Sequence, residues 1–395
     1  MATTINSGVV DTADPLSNRL VVDMHEPIRM LDPETSQFST MLMDPRLRQD
    51  KAESFKVEWM QDVLIPRVLS LGASATDSAT VITTGAGEAA YAKTGDIIRI
   101  PQTGEAVRVT ASDASASLTV VRALGAVAAA TAASGAAAGG SLIIVGGSNQ
   151  QGGALPTRLI TKQTANYNYT QITRNSYGFT RTAVQSKWYS QGLLESEREK
   201  KAVEHKADRE NTLFFGARSY SANTDGPRHT AGGLIEYIPA AMVTDASGTF
   251  DKAELQDFLT EALQYGSPRK VLFAAPIVGQ VMSEFLQDNW VRARPDDRLF
   301  GAKVNAVISG AFGDEVPVII KRQWGSYGTG TAGQYGSMAF AVDLDSVVLS
   351  DMQKSVLLKN RQDNDVDGID EEYLHEGSLK VLYPEHCALL KNVTG

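Results

Sequence analysis

Apolar and polar positions along the chain fall into three regimes. In the first, SKWYSQGLLESEREKKAVEHKADRENTLFFG from Ser186 to Gly216 predicts one helix about 45 Å long at ~1.5 Å per residue, with Gly192 as its one helix breaker. Its large apolar residues gather at the ends, Trp188, Leu193 and Leu194 on one side and Leu213, Phe214 and Phe215 on the other. Between Glu195 and Glu210 only Ala202, Val203 and Ala207 interrupt the charges. Glu197/Lys201, Lys200/Glu204 and Lys206/Glu210 stand four residues apart, each pair worth about 0.2–0.5 kcal/mol when exposed. So narrow an apolar stripe builds no core. It fits a helix laid across a surface or along a neighbouring subunit, and equally a charged helix on an ordinary globular domain with His205 solvated.

The second regime, from about residue 70 to 163, is built of small residues with short alternating runs. Strands are predicted at 96–100, 105–110, 117–122 and 141–145, with turns at Pro101-Gln102-Thr103-Gly104 and at 113–115. The Ala/Gly-rich segment 123–140 reads as a loop. This β-module lies inside a longer excursion whose legs are strands at 55–59 and 166–174. Asn166-Tyr167-Asn168-Tyr169-Thr170-Gln171-Ile172 alternates polar residues with Tyr and Ile, the pattern of an extended ribbon with one sticky face.

The third regime, 235–350, reads as α/β. A helix at 251–265 carries Leu255, Phe258, Leu259, Ala262 and Leu263 on one face, a buried strand follows at 270–275, and a second helix at 277–287 starts after Pro276. Strands are predicted at 304–309, 316–321 and 338–343, with 325–336 as a Gly-rich loop. The last fifty residues hold strands at 347–349, 355–358, 379–382 and 387–390 around an acidic turn at 363–372. At the other end, residues 1–24 lack periodicity and read as an arm. Asp32-Pro33-Glu34 then opens a short helix with Phe38, Met41 and Leu42 on its apolar face.

Composition narrows the function classes. At 395 residues, 43% of them hydrophobic, the chain can build two or three domains with real cores. A net charge of −9 argues against a general nucleic-acid-binding surface. The single cysteine, Cys387, leaves no internal disulfide and fits a small buried residue in a reducing compartment. Residues 1–20 lack the order of a signal peptide. The uncharged run 123–157 is filled with small residues and interrupted by Gly-Gly pairs, which argues against a membrane span.

Candidate chemistry is sparse. Asp363, Asp365, Asp367 and Gly368 reproduce the front half of a calcium loop, but the twelfth position is Leu374 rather than Glu, so a solvated acidic turn is the simpler reading. There is no P-loop, Gly85-Ala86-Gly87 leads into strands, and the histidines at 25, 205, 229, 375 and 386 show no zinc spacing. No G-x-S-x-G elbow is present and Cys387 lacks an activating neighbour. Arg292, Arg294 and Arg298 cluster near Trp290, but Asp288, Asp296 and Asp297 cancel them, favouring a subunit contact or solvated face. These readings assign no catalytic residue, no cofactor and no metal.

The order of parts resembles the major capsid proteins of tailed bacteriophages, which have the Hong Kong 97-type fold. Three passages resemble the branch with a β-module inserted in the extended loop: Phe55-Lys56-Val57-Glu58-Trp59 with Asp62, Asn168-Tyr169-Thr170-Gln171-Ile172 through Gly216, and Gly377-Ser378-Leu379-Lys380-Val381 through Leu390. The acidic turn at 363–367 is a departure from the pattern. What the resemblance implies is an α+β fold with an N-terminal arm and short helix at 1–54, an extended loop at 55–175 carrying the module at about 70–163, and a peripheral domain at 176–235 with a spine helix at 186–216. An axial domain at 236–350 and closing strands at 351–395 complete it. It further implies a non-enzymatic subunit of the virion that assembles in the host cytoplasm as hexamers and pentamers, forming an icosahedral shell around packaged double-stranded DNA without sequence-specific binding. Expected partners are further copies of itself, a separate scaffolding protein, a portal and a decoration protein, and no membrane.

An arm, a ribbon and an under-buried helix all lack partners within one chain, and contacts between copies would supply them. Tyr167, Tyr169 and Ile172 on the ribbon and Arg198, Lys201, Lys206 and Arg209 on the helix are the expected inter-subunit contacts. The rival readings are a tail, decoration or surface-array subunit and a calcium-dependent enzyme at Asp363, Asp365 and Asp367.

Overall fold

The computed structural model describes residues 36–134, 140–153, 155, 158–187, 192–223, 226–246, 250–285, 290–292, 305–308, 312–328 and 334–394. The chain divides into two compact units, Met1–Trp59 with Asn166–Gly395, and Met60–Ala165. The expected arm, the helix start at Asp32-Pro33-Glu34, Trp188, and the charged residues Asp288, Arg294, Asp296, Asp297 and Arg298 lie outside the described residues.

In the first unit a seven-stranded mixed sheet runs in the order Val243–Asp245, Ala388–Lys391, Ala339–Asp343, Lys270–Ala274, Glu315–Ile320, Asn305–Ile308, Trp290–Arg292. Its two central strands, Lys270–Ala274 and Ala339–Asp343, are buried along their whole length. That is why they read as continuous apolar runs rather than alternation. Helix Lys252–Leu263 starts where Asp251 accepts the Glu254 N–H at 2.8 Å, and it buries Leu255, Phe258, Leu259 and Ala262 in the core shared with Val278 and Met282 of helix Pro276–Phe285.

A second, four-stranded sheet runs Gln49–Lys51, Val347–Leu358, Gly368–Val381, Gln171–Thr180. Helix Leu193–Phe215 packs against Gln171–Thr180 and Gly368–Val381. Its C-terminal Phe214 enters the core, with ring centroids 4.7 Å from Phe38, 4.9 Å from Trp324 and 5.3 Å from Phe340. Helix Gln37–Leu42 contributes Phe38, Met41 and Leu42 to the same cluster. Where the chain leaves the long helix, a Cβ on Gly216 would meet Ala231 O at 2.4 Å, and one on Gly233 would meet Gly216 N at 2.6 Å. Two backbones can cross this closely only because both positions are glycine.

Three sequence expectations change here. The predicted helix 186–216 begins at Leu193, with Gly192 as its N-cap, and a separate helix, Arg181–Gln185, is capped by Thr180 and ended by extended Ser186. The break falls at Gly192 because glycine loses the most backbone freedom inside a helix. The strands predicted at 347–349 and 355–358 are one strand, Val347–Leu358, with register shifts at Asp351/Gln353 and Gln353/Val356. The acidic turn predicted at 363–372 ends at Gly368, after which Gly368–Val381 is a 14-residue strand pairing with Gln171–Thr180. Its acids occur in a strand because cations on other elements neutralise them, a long-range effect invisible to local composition.

The second unit holds a six-stranded antiparallel sheet in the order Val68–Ser70, Ser141–Gly147, Asp96–Ile100, Glu105–Ser112, Ser117–Val121, Val81–Thr83. Leu71 bridges Thr84, Gly72 N donates to Thr83 O at 2.9 Å and Gly85 N to Ser70 O at 3.1 Å. The two outer strands thereby meet, and the sheet closes on itself without free edges along this seam. Leu69, Ile82, Ile98, Val107, Leu118 and Leu142 fill the interior. Glu105, fully buried, is gripped by Arg122 at 2.7 and 2.6 Å and by the N–H of Ala123 at 3.0 Å. The pair is affordable inside because every strong donor and acceptor has a partner.

Candidate assembly surfaces

The long helix is docked by charge rather than by an apolar stripe. Arg198 donates to the Glu371 carboxylate at 2.8 and 3.0 Å, and the Tyr177 hydroxyl donates to the same carboxylate at 2.5 Å. Burial and that carboxylate push the Tyr177 phenol up to about 12. About two turns along, His205 Nδ1 lies 2.7 Å from Asn175 Oδ1 and Nε2 lies 3.3 Å from Ser355 Oγ, while its ring stacks on Tyr373. Burial, then the charges of Arg209 and His375, lower its pKa to about 4. His205 is therefore neutral and 2% exposed, which corrects its expected place on a solvated face. Arg209 donates Nη1 to Ser355 at 3.0 Å. At the far end the buried Glu210 carboxylate accepts the N–H groups of Phe38 and Ser39 at 2.8 Å each and pairs with the Lys321 ammonium, which fastens helix Gln37–Leu42 to the long helix.

Of the expected contact residues on this helix, Arg198 and Arg209 thus have partners within the chain. Lys201 pairs with Glu204 at 2.5 Å, and Lys206 is exposed. The expected leg 166–174 is two strands, Thr164–Tyr169 in a two-stranded sheet with Lys56–Gln61 and Gln171–Thr180 in the four-stranded sheet, so Ile172 belongs to the latter rather than to the ribbon. Tyr167 lies between two cations, Lys56 Nζ 4.5 Å and Arg218 4.2 Å from its ring, and Tyr169 stacks on Phe55 at 6.2 Å and packs on Tyr220 at 5.7 Å. Hairpin Ser219–Asn223 and Gly226–Thr230 brings Tyr220 and His229 to Phe55. Buried Asn168 holds the ribbon by donating to Gly232 O at 3.0 Å and Leu379 O at 2.7 Å. What stays outside is apolar: Phe55, Tyr220 and Ile172 are each about half exposed. In the second unit, Val63, Leu64 and Ile160 are 62%, 91% and 86% exposed around an open cavity of about 450 Å³ that Tyr91 and Leu159 also line. Sequence reasoning passed over Val63, Leu64 and Ile160. Three large aliphatics in segments without strand alternation were the available signal.

Among the described residues no comparable convergence of reactive groups stands beside these surfaces. Asp367 pairs with Arg181 at 3.0 Å, and no cluster of three or more His, Cys, Asp or Glu suited to a metal occurs among the described residues. Ser346, His386 and Asp343 meet, but Ser346 is buried and its Oγ is shared between His386 Nδ1 at 2.6 Å and Asp343 at 3.2 Å, a structural tie for the turn after Asp343. Burial pushes the Cys387 thiol up to about 11, so it is protonated and inert at neutral pH. No helix among the described residues is long and apolar enough to cross a membrane.

This mixed arrangement of helices and sheets matches a capsid fold along the full length of the chain. The capsid of the native GTA particle superposes with a TM-score of 0.51 at 9% identity, over 98% of this chain and 100% of that one. A chain of Microbacterium phage Oxtober96 and one of the capsid of Myoviridae phage XM1 align over 98% of this chain and all of theirs, at 10% and 8% identity with TM-scores of 0.48 and 0.47. The family model described as SU10 major capsid protein matches residues 2–394, and the chain belongs to that family. It is a shell-forming structural protein of a phage, built into the virion from copies of itself. A search of curated proteins returns no match.

Proposed function

We propose that copies of this chain associate as hexamers and pentamers into an icosahedral shell enclosing the double-stranded DNA of a tailed phage. Assembly takes place in the host cytoplasm with a separate scaffolding protein and a portal, and a decoration protein is a further candidate partner. The observation that carries this reading is the family match over residues 2–394. In this assignment 55–175 is the extended loop, 176–235 the peripheral domain with the long helix as its spine, 236–350 the axial domain, and 351–395 the closing strands. DNA would be enclosed without being gripped, in keeping with the net charge of −9.

The apolar side chains left outside support the reading of how copies hold together. Ile172, Phe55 and Tyr220 in the first unit and Leu64 and Ile160 in the second stand open to solvent, and burying each against another copy is worth about 1.5–3 kcal/mol. Many copies repeat that gain, so modest contacts sum to a stable shell. Electron microscopy of the overexpressed chain tests it: closed particles are expected, and tubes, flat sheets or rings would point to another kind of assembly. Leu64→Asp with Ile172→Asp should leave a soluble chain with unchanged far-ultraviolet circular dichroism and no shells.

A further inference from the structure

An antiparallel sheet with one solvated face alternates apolar-in with polar-out. The β-module departs from that rule on its outer face. Leu69, Ile98, Val107, Leu118 and Leu142 fill the interior, and the residues that alternate with them along the strands point outward. On that outer face Val68, Ile143, Val145 and Val121 are 57%, 39%, 63% and 42% exposed. Two arginines stand among them, Arg99 paired across the strands with Ile143 and Arg108 with Val121. Arg122 is spent on Glu105, but Arg99 and Arg108 are exposed and have no acid within salt-bridge distance among the described residues. Every charged residue of 60–165 is described, seven bases against six acids. The result is an aliphatic surface, of the kind that marks a contact site, carrying two bare positive charges.

The acidic turn that departs from the capsid pattern has the converse character. It closes the hairpin between strands Val347–Leu358 and Gly368–Val381, where the Val366 N–H donates to Asp363 O at 3.1 Å. Asp367 is spent on Arg181, whereas Asp363 and Asp365 are exposed with no cation within salt-bridge distance among the described residues. Val366 beside them is 52% exposed. We infer that this hairpin tip of one copy docks on the arginine-bearing face of the module of a second copy, with Asp363 and Asp365 on Arg99 and Arg108 and Val366 among the aliphatics. The inference rests on the shell reading above. Spacing supports it: Arg99 pairs with Ala106, which makes Arg108 its diagonal neighbour at ~7–8 Å, and two residues of chain carry Asp365 up to about 7 Å from Asp363. Each carboxylate can then take a guanidinium through two parallel hydrogen bonds. Charge also rejects the symmetric alternatives, because two modules face to face set arginine against arginine and two tips set aspartate against aspartate. Tip on module is head-to-tail, so a closed ring of copies satisfies every tip and every module.

Introduced cysteines test the contact, because the native Cys387 is buried. Shells are assembled from an equal mixture of two chains, one carrying Val366→Cys and the other Val121→Cys, and treated with a short bismaleimide. Links between the two kinds of chain are expected in shells and absent from unassembled chains. Links only between like chains mark tip-to-tip or module-to-module contact and overturn the inference, as does a complete lack of links. Charge reversal gives an independent readout. Arg99→Glu with Arg108→Glu should cut the yield of shells by at least about tenfold, since like charges then face each other across the contact. Adding Asp363→Arg and Asp365→Arg to the same chain should restore the yield, a rescue that a folding defect would not show. Reversed modules that assemble like wild type, or a loss that the second reversal fails to rescue, overturn the inference while wild-type shells keep the shell reading intact. Absence of any closed particle from the wild-type chain removes the shell reading, and the inference with it.

Discussion

His205 shows how far one residue's role depends on what folds over it. In sequence it sits among charges on a helix with no apolar neighbours at i±4, and solvent is the natural environment. In the structure Asn175, Ser355 and Tyr373 close around it and hold it neutral, with a pKa near 4 set first by burial and then by Arg209 and His375. An unfolded histidine titrates near 6.5, so between about pH 6.5 and 4 the unfolded chain binds the proton that the folded one refuses. Stability from this group is full above pH 6.5 and is lost as pH falls through that window. Urea midpoints measured from pH 7.5 to 4 should fall more steeply for wild type than for His205→Gln, which keeps a polar group there without the titration. Parallel curves would show that the imidazole stays wet.

At the scale of elements, the long helix was legible over most of its length and its docking was not. Its i,i+4 charge pairs were read as exposed support; the structure instead spends Arg198 on Glu371 and Glu210 on Lys321. Hydrogen bonds to charged groups contribute about 1.5–3 kcal/mol each, enough to replace an apolar stripe. The consequence is local. Arg198→Met should raise amide exchange in the N-terminal half of helix Leu193–Phe215 by about 10- to 100-fold, the factor that 1.5–3 kcal/mol implies, and leave the end at Leu213 and Phe214 protected by its aromatic packing. Uniform loosening along the helix would mean that the apolar anchor, not the ion pair, governs it. The first part of strand Gly368–Val381, ahead of the strand predicted at 379–382, escaped sequence reading for the same reason: Glu371 and Glu372 look like turn residues until Arg198, Arg174 and Arg361 are brought to them from other elements.

At the scale of the whole molecule, two cores make two cooperative units. The β-module keeps its own interior, its own seam and its own buried Glu105–Arg122 pair, none of which borrows a residue from the first unit. Thermal or urea unfolding followed by probes in each unit should give two transitions. Leu118→Ala should destabilise only the transition of residues 60–165, by about 2–5 kcal/mol; a single merged transition lowered as a whole would show that the units unfold together. The module's central strands were written in local alternation and turn chemistry, and they stand at Asp96–Ile100, Glu105–Ser112, Ser117–Val121 and Ser141–Gly147 with little change. Its two outer strands, Val68–Ser70 and Val81–Thr83, are three residues each, too short to leave a period, and it is their pairing with Ser141–Gly147 and Ser117–Val121 that makes them strands. The amino-acid sequence by itself determined most of the helices and strands and the order of parts on which the resemblance to capsid proteins rests, because side-chain period and glycine placement are local and add up along the chain. Tertiary structure alone decided which charges became mortar inside one copy and which were left facing outward, because charge neutralisation depends on distances between residues 111 to 198 positions apart that no local pattern records.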